Sequence, residues 1–410
     1  MGKRAVRTWC AGGLLAALAL AGCHTPVTPP VRPKPGAAQL PVTARAPVEP
    51  DTSAVHTDPA APLARPAEYR RLTAADCRKL AIAHAPFADD LDRHSENDPP
   101  AHPRFHKDAA RDAETSRLVR GFAADELRNR AAGDALGEFF KLANAEGQSD
   151  LLAAADAELR TQLAAALKAE QGGLKDRADI PGLRRKLLDS EAKQAELVAG
   201  IEALHASLRA RLNLAANDPL PLWPADPLAV RGGDPDVEQA VATGLHYRPD
   251  LNLLRVLSDG SGGEMANALL TGANPLLGAL KADNPLAALF APILSPLLKE
   301  PKRQQAAANA RVAGVLQSRE RQAEAEIRAA AALLRGHRAA VAARTLDVKQ
   351  VEGRVAELET RQRAGLNVTA ELVAAKFDLL KAKGDRLTAV TDWHAAEVKL
   401  RQATGLLVRE

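Results

Sequence analysis

The sequence predicts an all-α protein built from two similar, long antiparallel coiled-coil helical hairpins. Apolar residues recur at every seventh position along stretches without proline, which is typical of supercoiled helices. A Gly-Leu step interrupts such a stretch once in each half of the chain. The composition agrees, because alanine- and leucine-rich chains with 26% charged and 3% aromatic residues favour long helices over sheet-based cores.

Residues 1–22 have the pattern of a lipoprotein signal peptide. A basic start is followed by the apolar run LLAALAL, which is too short to span a bilayer as a helix. This run leads into Leu20, Ala21, Gly22 and Cys23, which resembles the cleavage box of bacterial lipoproteins. By that resemblance, Cys23 becomes the lipidated first residue of the mature protein. Each buried CH₂ of an acyl chain such as palmitate contributes ~0.8 kcal/mol, so several chains give a durable anchor. His24 follows the cysteine, which in such lipoproteins implies sorting to the outer membrane.

Residues 23–66 are predicted to be a disordered tether that begins at the lipidated cysteine. Eleven prolines occur in the 43 residues from His24 to Pro66, mixed with alanine, threonine and valine. Such a stretch cannot bury a core and favours extended, partly polyproline II conformations. At ~3.1 Å per residue the tether would reach on the order of 100 Å.

Two similar stretches indicate that the folded part is duplicated. The first helix is predicted to begin at Thr73, with Asp76 three residues later as in a capping box, and to end near Pro86. The related stretch DPDVEQAVATGLHYRPDL opens the second half, with Pro249 in the place of Pro86. We therefore divide the chain into a first helical-hairpin repeat, 67–230, and a second, 231–410.

A common register supports the duplication. A shift of 192 residues aligns Gly173-Leu174 with Gly365-Leu366, and the match continues without a gap to Leu214 and Leu406. Single matches arise by chance in alanine-rich helices. A shared register over this length is expected of an internal repeat.

The longest helix is predicted in the second half. No proline follows Pro301, so a helix from about 304 to 363 is expected, roughly 90 Å long at ~1.5 Å per residue. Gly365 suits the left-handed residue that ends a helix, and Glu371 suits the first turn of the returning helix. The predicted seam residues are seven apart on both sides of this turn: Ile327, Leu334, Val341, Val348 and Val355, then Leu366, Val373, Leu380 and Leu387.

With these motifs the chain resembles the TolC-like outer-membrane efflux proteins from Leu72 to Leu407. The Leu72-Thr73 start, the mid-chain tetrapeptide and the second hairpin tip carry the resemblance, although Gln362 replaces the usual aromatic residue at the tip. The matching residues of the last two motifs are Arg248, Pro249, Asp250 and Leu251, and Arg361, Ala364, Gly365 and Leu366.

In that family each half also supplies two membrane strands to a shared β-barrel. The corresponding stretch of the first half, Arg93–Glu114, is polar and does not alternate as membrane strands do. In the second half, Ser258–Lys302 is apolar but repeatedly broken by proline. We expect a β-barrel part that is degenerate or missing.

The resemblance implies a lipid-anchored efflux component of the outer membrane that faces the periplasm. It would assemble as a homotrimer and form a helical conduit with a periplasmic adaptor and an inner-membrane pump. The docking points would be the hairpin tips at Gly173, Leu174, Arg361 and Ala364–Leu366. The alternative is a non-transporting coiled-coil scaffold lipoprotein of the cell envelope, which the lack of membrane strands favours.

No catalytic, cofactor, metal or nucleic-acid-binding role is predicted. The net charge is +4 with both signs interspersed, so no basic patch indicates nucleic acid. No nucleophile lies in a pattern with a base, and Cys77 lacks the Cys/His spacing of a zinc site. The glycine-rich SDGSGGE lacks the Lys-Ser/Thr of a phosphate loop and predicts a turn.

Overall fold

The computed structural model describes residues 40–44, 68–96, 107–172, 179–259, 305–366 and 368–409. Helices make up most of these residues. In chain order the elements are β1 (Val42–Ala44), β2 (Glu68–Leu72), α1 (Ala74–Ala83), α2 (Ala88–Glu96), α3 (Lys107–Gln171), α4 (Ile180–Arg211), β3 (Leu222–Pro224), α5 (Val237–Tyr247), α6 (Pro249–Asp259), α7 (Gln305–Arg363), α8 (Thr369–Ala403) and a 3-10 turn at Leu406–Val408.

The long helices form two antiparallel hairpins that lie side by side. α3 packs against α4, α7 packs against α8, and α8 also packs along α3, which gives the order α4-α3-α8-α7. The contact between the hairpins is direct, since Gln148 Nε2 donates to the backbone oxygen of Gly384 at 2.8 Å. The predicted all-α class with duplicated hairpins is confirmed, and α7 has almost the expected bounds.

Short helices precede each hairpin, so the order short, short, long, long occurs twice. The Oγ1 of Thr73 accepts a hydrogen bond from the backbone N–H of Asp76, and the Asp76 carboxylate accepts one from the backbone N–H of Thr73. The predicted capping box is therefore confirmed. Asp236 caps α5 in the corresponding place by accepting from the backbone N–H of Gln239 at 3.1 Å.

A small sheet joins the start of the folded part to the loop after α4. β2 pairs antiparallel with β1 and parallel with β3. The prediction of a disordered tether is therefore wrong for Val42–Ala44. Extended, β-branched Val42 and Thr43 suit a strand, and the backbone N–H of Arg71 donates to Pro41 at 2.9 Å. The remainder of the tether and the signal peptide, including Leu20–Cys23, lie outside the described residues.

The seam of the second hairpin is apolar along its length. All the predicted heptad residues of α7 are buried, which confirms that stripe. The stripe predicted for α8 is confirmed only at Leu387, which is buried: Leu366 is 56% exposed in the turn, and Val373 and Leu380 are half-buried. α8 packs against both α7 and α3, so its buried face is wider than one seam and rotated from it. Its buried residues include Leu372, Ala375, Ala382 and Leu387.

The seam of the first hairpin contains polar residues in its middle and near the end of α4 that lies away from the tip. Ser149 and Gln194 are buried there, and Gln194 Nε2 donates to Ser149 Oγ at 2.8 Å. Burial and then the charge of Arg209 lower the pKa of His205 to about 4, so this imidazole is neutral at neutral pH. A buried hydrogen bond stabilises less than the same surface filled with apolar groups. The second hairpin is thus the more firmly packed of the two.

The main core lies where the two repeats meet, in the part of the hairpins away from their tips. Tyr69 of β2 and Trp223 of β3 pack edge to face with ring centroids 5.2 Å apart. Phe139 of α3 and Trp393 of α8 belong to the same buried cluster. Cys77 is also buried there, and burial raises the pKa of its thiol, which keeps it protonated and unreactive.

No helix among the described residues combines the length and the apolar character needed to cross a membrane. Of the two stretches that the sequence compares with membrane strands, residues 97–106 of the first and residues 260–302 of the second lie outside the described residues. Their described ends belong to α2, α3 and α6, and are therefore helical.

We expect Ile327→Ala to destabilise the protein by about 2–4 kcal/mol, because the substitution leaves a cavity in a fully buried seam. Leu333→Ala on the same helix is the matched control, since Leu333 is 53% exposed, and should change stability by less than ~0.5 kcal/mol. Urea unfolding followed by circular dichroism measures both. Equal losses would contradict the assignment of the seam.

Candidate functional site

The second hairpin tip is an exposed turn that backbone hydrogen bonds close. Gly365 has φ +85°, its N–H donates to Gln362 O at 3.0 Å, and the N–H of Leu366 donates to Arg361 O at 3.1 Å. This pair of bonds is the Schellman motif, in which the left-handed residue favours glycine. Leu366 projects from the turn, while Ala364 precedes the glycine in the turn itself. The first tip, with Gly173 and Leu174, lies outside the described residues.

The mid-chain motif forms the corner between α5 and α6. Pro249 is the first residue of α6, where its missing N–H costs nothing and its fixed φ suits the helix. The residue before proline avoids helical geometry, and Arg248 accordingly has φ −59° and ψ 124°. Leu251 is fully buried beneath the corner. The corner thus turns the side chains of Arg248 and Asp250 into the protein.

Arg248 and Asp250 form a bidentate ion pair that is almost fully buried. Arg248 Nε donates to Asp250 Oδ1 at 3.0 Å, and Nη2 donates to Oδ2 at 2.9 Å. The side chains are 8% and 2% exposed. Arg248 Nη1 also donates to Glu326 of α7 at 2.7 Å and to Ala403 O, the last residue of α8, at 3.3 Å. One guanidinium therefore holds α6, α7 and the end of α8 together.

A second arginine completes the pairing. Arg319 Nε donates to Asp250 Oδ2 at 2.9 Å, and its Nη1 donates to Glu326 Oε1 at 2.9 Å. Burial alone would raise the pKa of Asp250, but hydrogen bonds from and charge on Arg248 and Arg319 hold it below its usual range. The pKa of Glu326 is lowered against burial by the same two arginines. We call these four residues the arginine cluster.

Glu126 of α3 borders the cluster and is less well compensated. It accepts from Arg130 Nε at 2.7 Å, one turn along the same helix. Burial and then repulsion from Asp250 outweigh this bond and raise the pKa of Glu126 to about 7. The site therefore contains a carboxyl that changes its charge near neutral pH.

The structure brings together the motif residues with three that sequence reasoning missed: Glu126, Arg319 and Glu326. In the sequence, only their spacing from another charged residue of the same helix could have indicated these residues. Arg319 and Glu326 are seven residues apart, and Glu126 is four residues from Arg130. Such spacings are common on exposed helices, so they do not predict burial. Within the described ranges, no group of three His, Cys, Asp or Glu side chains could hold a metal ion.

The solved structures that resemble the chain include outer-membrane channels. The outer-membrane channel OprN matches with a TM-score of 0.55 at 13% identity, covering 81% of this chain and 88% of that one. VceC from Vibrio cholerae matches with 0.54 at 12% identity, covering 81% and 96%. CmeC from Campylobacter jejuni matches with 0.52 at 12% identity, covering 80% and 83%. The chain has a TolC-like fold. No protein-family model matches the sequence, and no curated protein matches it.

In this TolC-like fold the tip and the arginine cluster lie far apart along α7. The 39 residues from Glu326 to Gly365 correspond to ~60 Å of helix. The tip is exposed and offers a surface, whereas the cluster fixes the base of the second hairpin. The similar structures are described as channels or as an outer-membrane protein, not as enzymes.

We expect Arg248→Met to destabilise the protein by about 3–5 kcal/mol, because it removes one partner of a buried ion pair and leaves Asp250 undercompensated. Arg328→Met is the matched control: Arg328 also binds two carboxylates, but it is 42% exposed, and we expect little change. Chemical unfolding of both variants tests this. Equal sensitivity would contradict a special role for the buried pair.

We expect Glu126→Gln to stabilise the protein at pH 8 by about 1–3 kcal/mol and to leave it unchanged near pH 5. A folded-state pKa raised from 4.5 to about 7 means that the folded protein favours the neutral acid, so stability falls as pH rises between these values. Glutamine keeps an acceptor for Arg130 but cannot ionise. Unfolding free energies measured from pH 5 to pH 8 would contradict this if the difference did not grow with pH.

Proposed function

We propose that the protein is a lipid-anchored, TolC-like efflux component that forms a helical conduit with a periplasmic adaptor and an inner-membrane pump. The observation that carries the proposal is the fold: two antiparallel hairpins side by side, matched over 96% of the length of VceC. Conduction would be passive, with the energy supplied by the pump.

The arrangement of the hairpins supports assembly from several copies. α4 and α7 lie at the two edges of the helical layer. Leu188 on α4 and Leu346 on α7 are 65% and 66% exposed, although leucine favours burial. Helical spacing places each of them about opposite the seam of its own hairpin. The α4 edge of one copy can therefore meet the α7 edge of the next, a head-to-tail contact that closes into a ring. We propose a homotrimer.

The hairpin tips are the proposed contact with the adaptor. Leu366 is 56% exposed on a turn that the Gly365 motif holds rigid. Val355, Leu358 and Leu372 form a small buried cluster in the two helices that this turn connects. A preformed apolar projection loses little entropy when a partner helix binds it. Gly173 and Leu174 would form the equivalent tip.

The proposed attachment is the lipidated Cys23, preceded by Leu20, Ala21 and Gly22. It would hold the protein at the outer membrane with its helices in the periplasm. Mass spectrometry of the mature N-terminus tests this proposal. Acylated Cys23 is expected, and an unmodified N-terminal residue after cleavage would exclude the anchor.

The second candidate is a non-transporting scaffold lipoprotein. The observation that favours it is the repeated proline of Ser258–Lys302, which is incompatible with long membrane strands. The scaffold would use the same hairpins and tips without conducting anything. Planar-bilayer recordings of the assembled protein separate the two candidates: discrete conductance steps support the conduit, and an assembled but silent protein supports the scaffold.

We expect Leu346→Glu to convert the assembled protein to monomers, because it places a charge in the apolar contact between neighbouring copies. Ala374→Glu is the matched control, since Ala374 is exposed on α8, which is flanked by helices on both sides. Light scattering after size exclusion measures the mass. A wild-type protein that stays monomeric in both detergent and lipid would overturn the proposed assembly.

A further inference from the structure

A cavity of about 440 Å³ lies beside the arginine cluster, between α3 and α7 and next to the last turns of α8. Its size is within the range of small-molecule sites. The lining residues are partly apolar and partly charged. The apolar lining residues are Ala329, Ala330, Leu333, Ala396 and Ala403. The charged ones are Glu126, Arg130, Arg248, Arg319, Glu326 and Lys399, and Asn129 and Gln402 contribute amides.

The positively charged side chains that line the cavity differ in how many of their N–H donors already have hydrogen-bond partners. Arg248 has bonds from all three guanidinium nitrogens to Asp250, Glu326 and Ala403. Arg130 donates only its Nε, to Glu126, and within the described part of the chain its two Nη groups have no partner. Lys399 is exposed at the cavity and has no partner among the same residues. Arg130 and Lys399 are thus free to bind an anion.

An unused acceptor belongs to another residue that lines the cavity. Asn129 is only 3% exposed, and its Nδ2 donates to the backbone oxygen of Gln402 at 2.9 Å. Its Oδ1 is buried and accepts no hydrogen bond from the described residues. A buried acceptor without a donor is unfavourable, so a ligand that brings a donor gains from binding here. This atom points to a donor group on the ligand, in addition to its charge.

We propose that the cavity binds a small organic anion in which a carboxylate, an adjacent hydroxyl or amino donor and an apolar group are combined. The carboxylate binds the Nη groups of Arg130 and the ammonium of Lys399. The donor binds Oδ1 of Asn129. The apolar group packs against Leu333 and the alanines of α7 and α8. α-Hydroxy and α-amino carboxylates with an apolar side chain have this combination. The proposal does not depend on conduction or on assembly.

Mandelate is the probe, because it has a carboxylate, an α-hydroxyl and a phenyl ring. Isothermal titration calorimetry of the purified mature protein should detect its binding. Phenylacetate, which lacks the hydroxyl, should bind about tenfold more weakly, the value of one hydrogen bond. Benzyl alcohol, which lacks the carboxylate, should not bind measurably. No binding of mandelate, or equal binding of all three compounds, would overturn the proposal.

Substitutions test which side chains contact the bound mandelate. Lys399→Gln and Arg130→Gln should each weaken mandelate binding at least about tenfold. Lys381→Gln is the matched control on α8, and should leave the affinity unchanged because Lys381 is exposed and does not line the cavity. Asn129→Leu should remove the preference for mandelate over phenylacetate. Circular dichroism establishes that each variant is folded. Mandelate binding that is unaffected in folded Lys399→Gln and Arg130→Gln would refute the site.

The pH dependence gives an independent readout. The pKa of Glu126 is raised to about 7 by burial and by Asp250, so deprotonation above this pH adds negative charge to the cavity wall and should weaken anion binding. In Glu126→Gln the affinity should no longer fall between pH 6 and pH 8. A fall that persisted in this variant would contradict the role of Glu126.

Six other charged groups face Glu126. They are Arg130 on α3, Arg248 and Asp250 at the corner that begins α6, Arg319 and Glu326 on α7, and Lys399 on α8.

Discussion

The buried carboxylate of Asp250 imposes the constraint on which the arrangement of the helices depends. A charge that is almost fully removed from water is tolerated only when it is paired and hydrogen-bonded. Arg248 and Arg319 supply both, and each also binds Glu326. Asp250 lies in α6, and its two arginine partners lie at the corner before α6 and on α7. Arg248 also binds the end of α8. Pairing this one carboxylate therefore fixes three helices relative to one another. The base of the second hairpin is thereby held in a single geometry.

The two hairpins share an architecture but differ in how they are held together. The second is closed by apolar residues at every heptad position of α7, down to Val355 near the tip. The first contains Ser149, Gln194 and a neutral His205 in its seam. Polar seams specify alignment at some cost in stability. The first hairpin is therefore the one whose packing against a neighbouring copy would add most, and its outer helix α4 lies at the edge of the layer where such a neighbour would bind.

The arginine cluster and the cavity beside it form one electrostatic unit. The four residues of the cluster pair with one another. The pKa of Glu126, by contrast, is raised to about 7, so its charge changes near neutral pH. Arg130 has donors without a partner and Asn129 has an acceptor without one among the described residues. Polar groups that are buried without full compensation reduce stability, and they are expected where a protein has a function to perform. The same residues explain both the rigidity of the base and its capacity to recognise an anion.

The features that the sequence determined by itself depend on interactions between residues that are close together along the chain. The capping box at Thr73 and the turn at Gly365 each depend on a few neighbouring residues, and the seam of α7 follows from a spacing of seven. Contacts between distant segments were decided only by the tertiary structure. β1 becomes a strand because the edge of β2 is available to it, and α8 has a rotated buried face because it packs against two helices. Arg319 meets Asp250 across 69 residues, a distance at which sequence spacing has no physical consequence until the chain is folded.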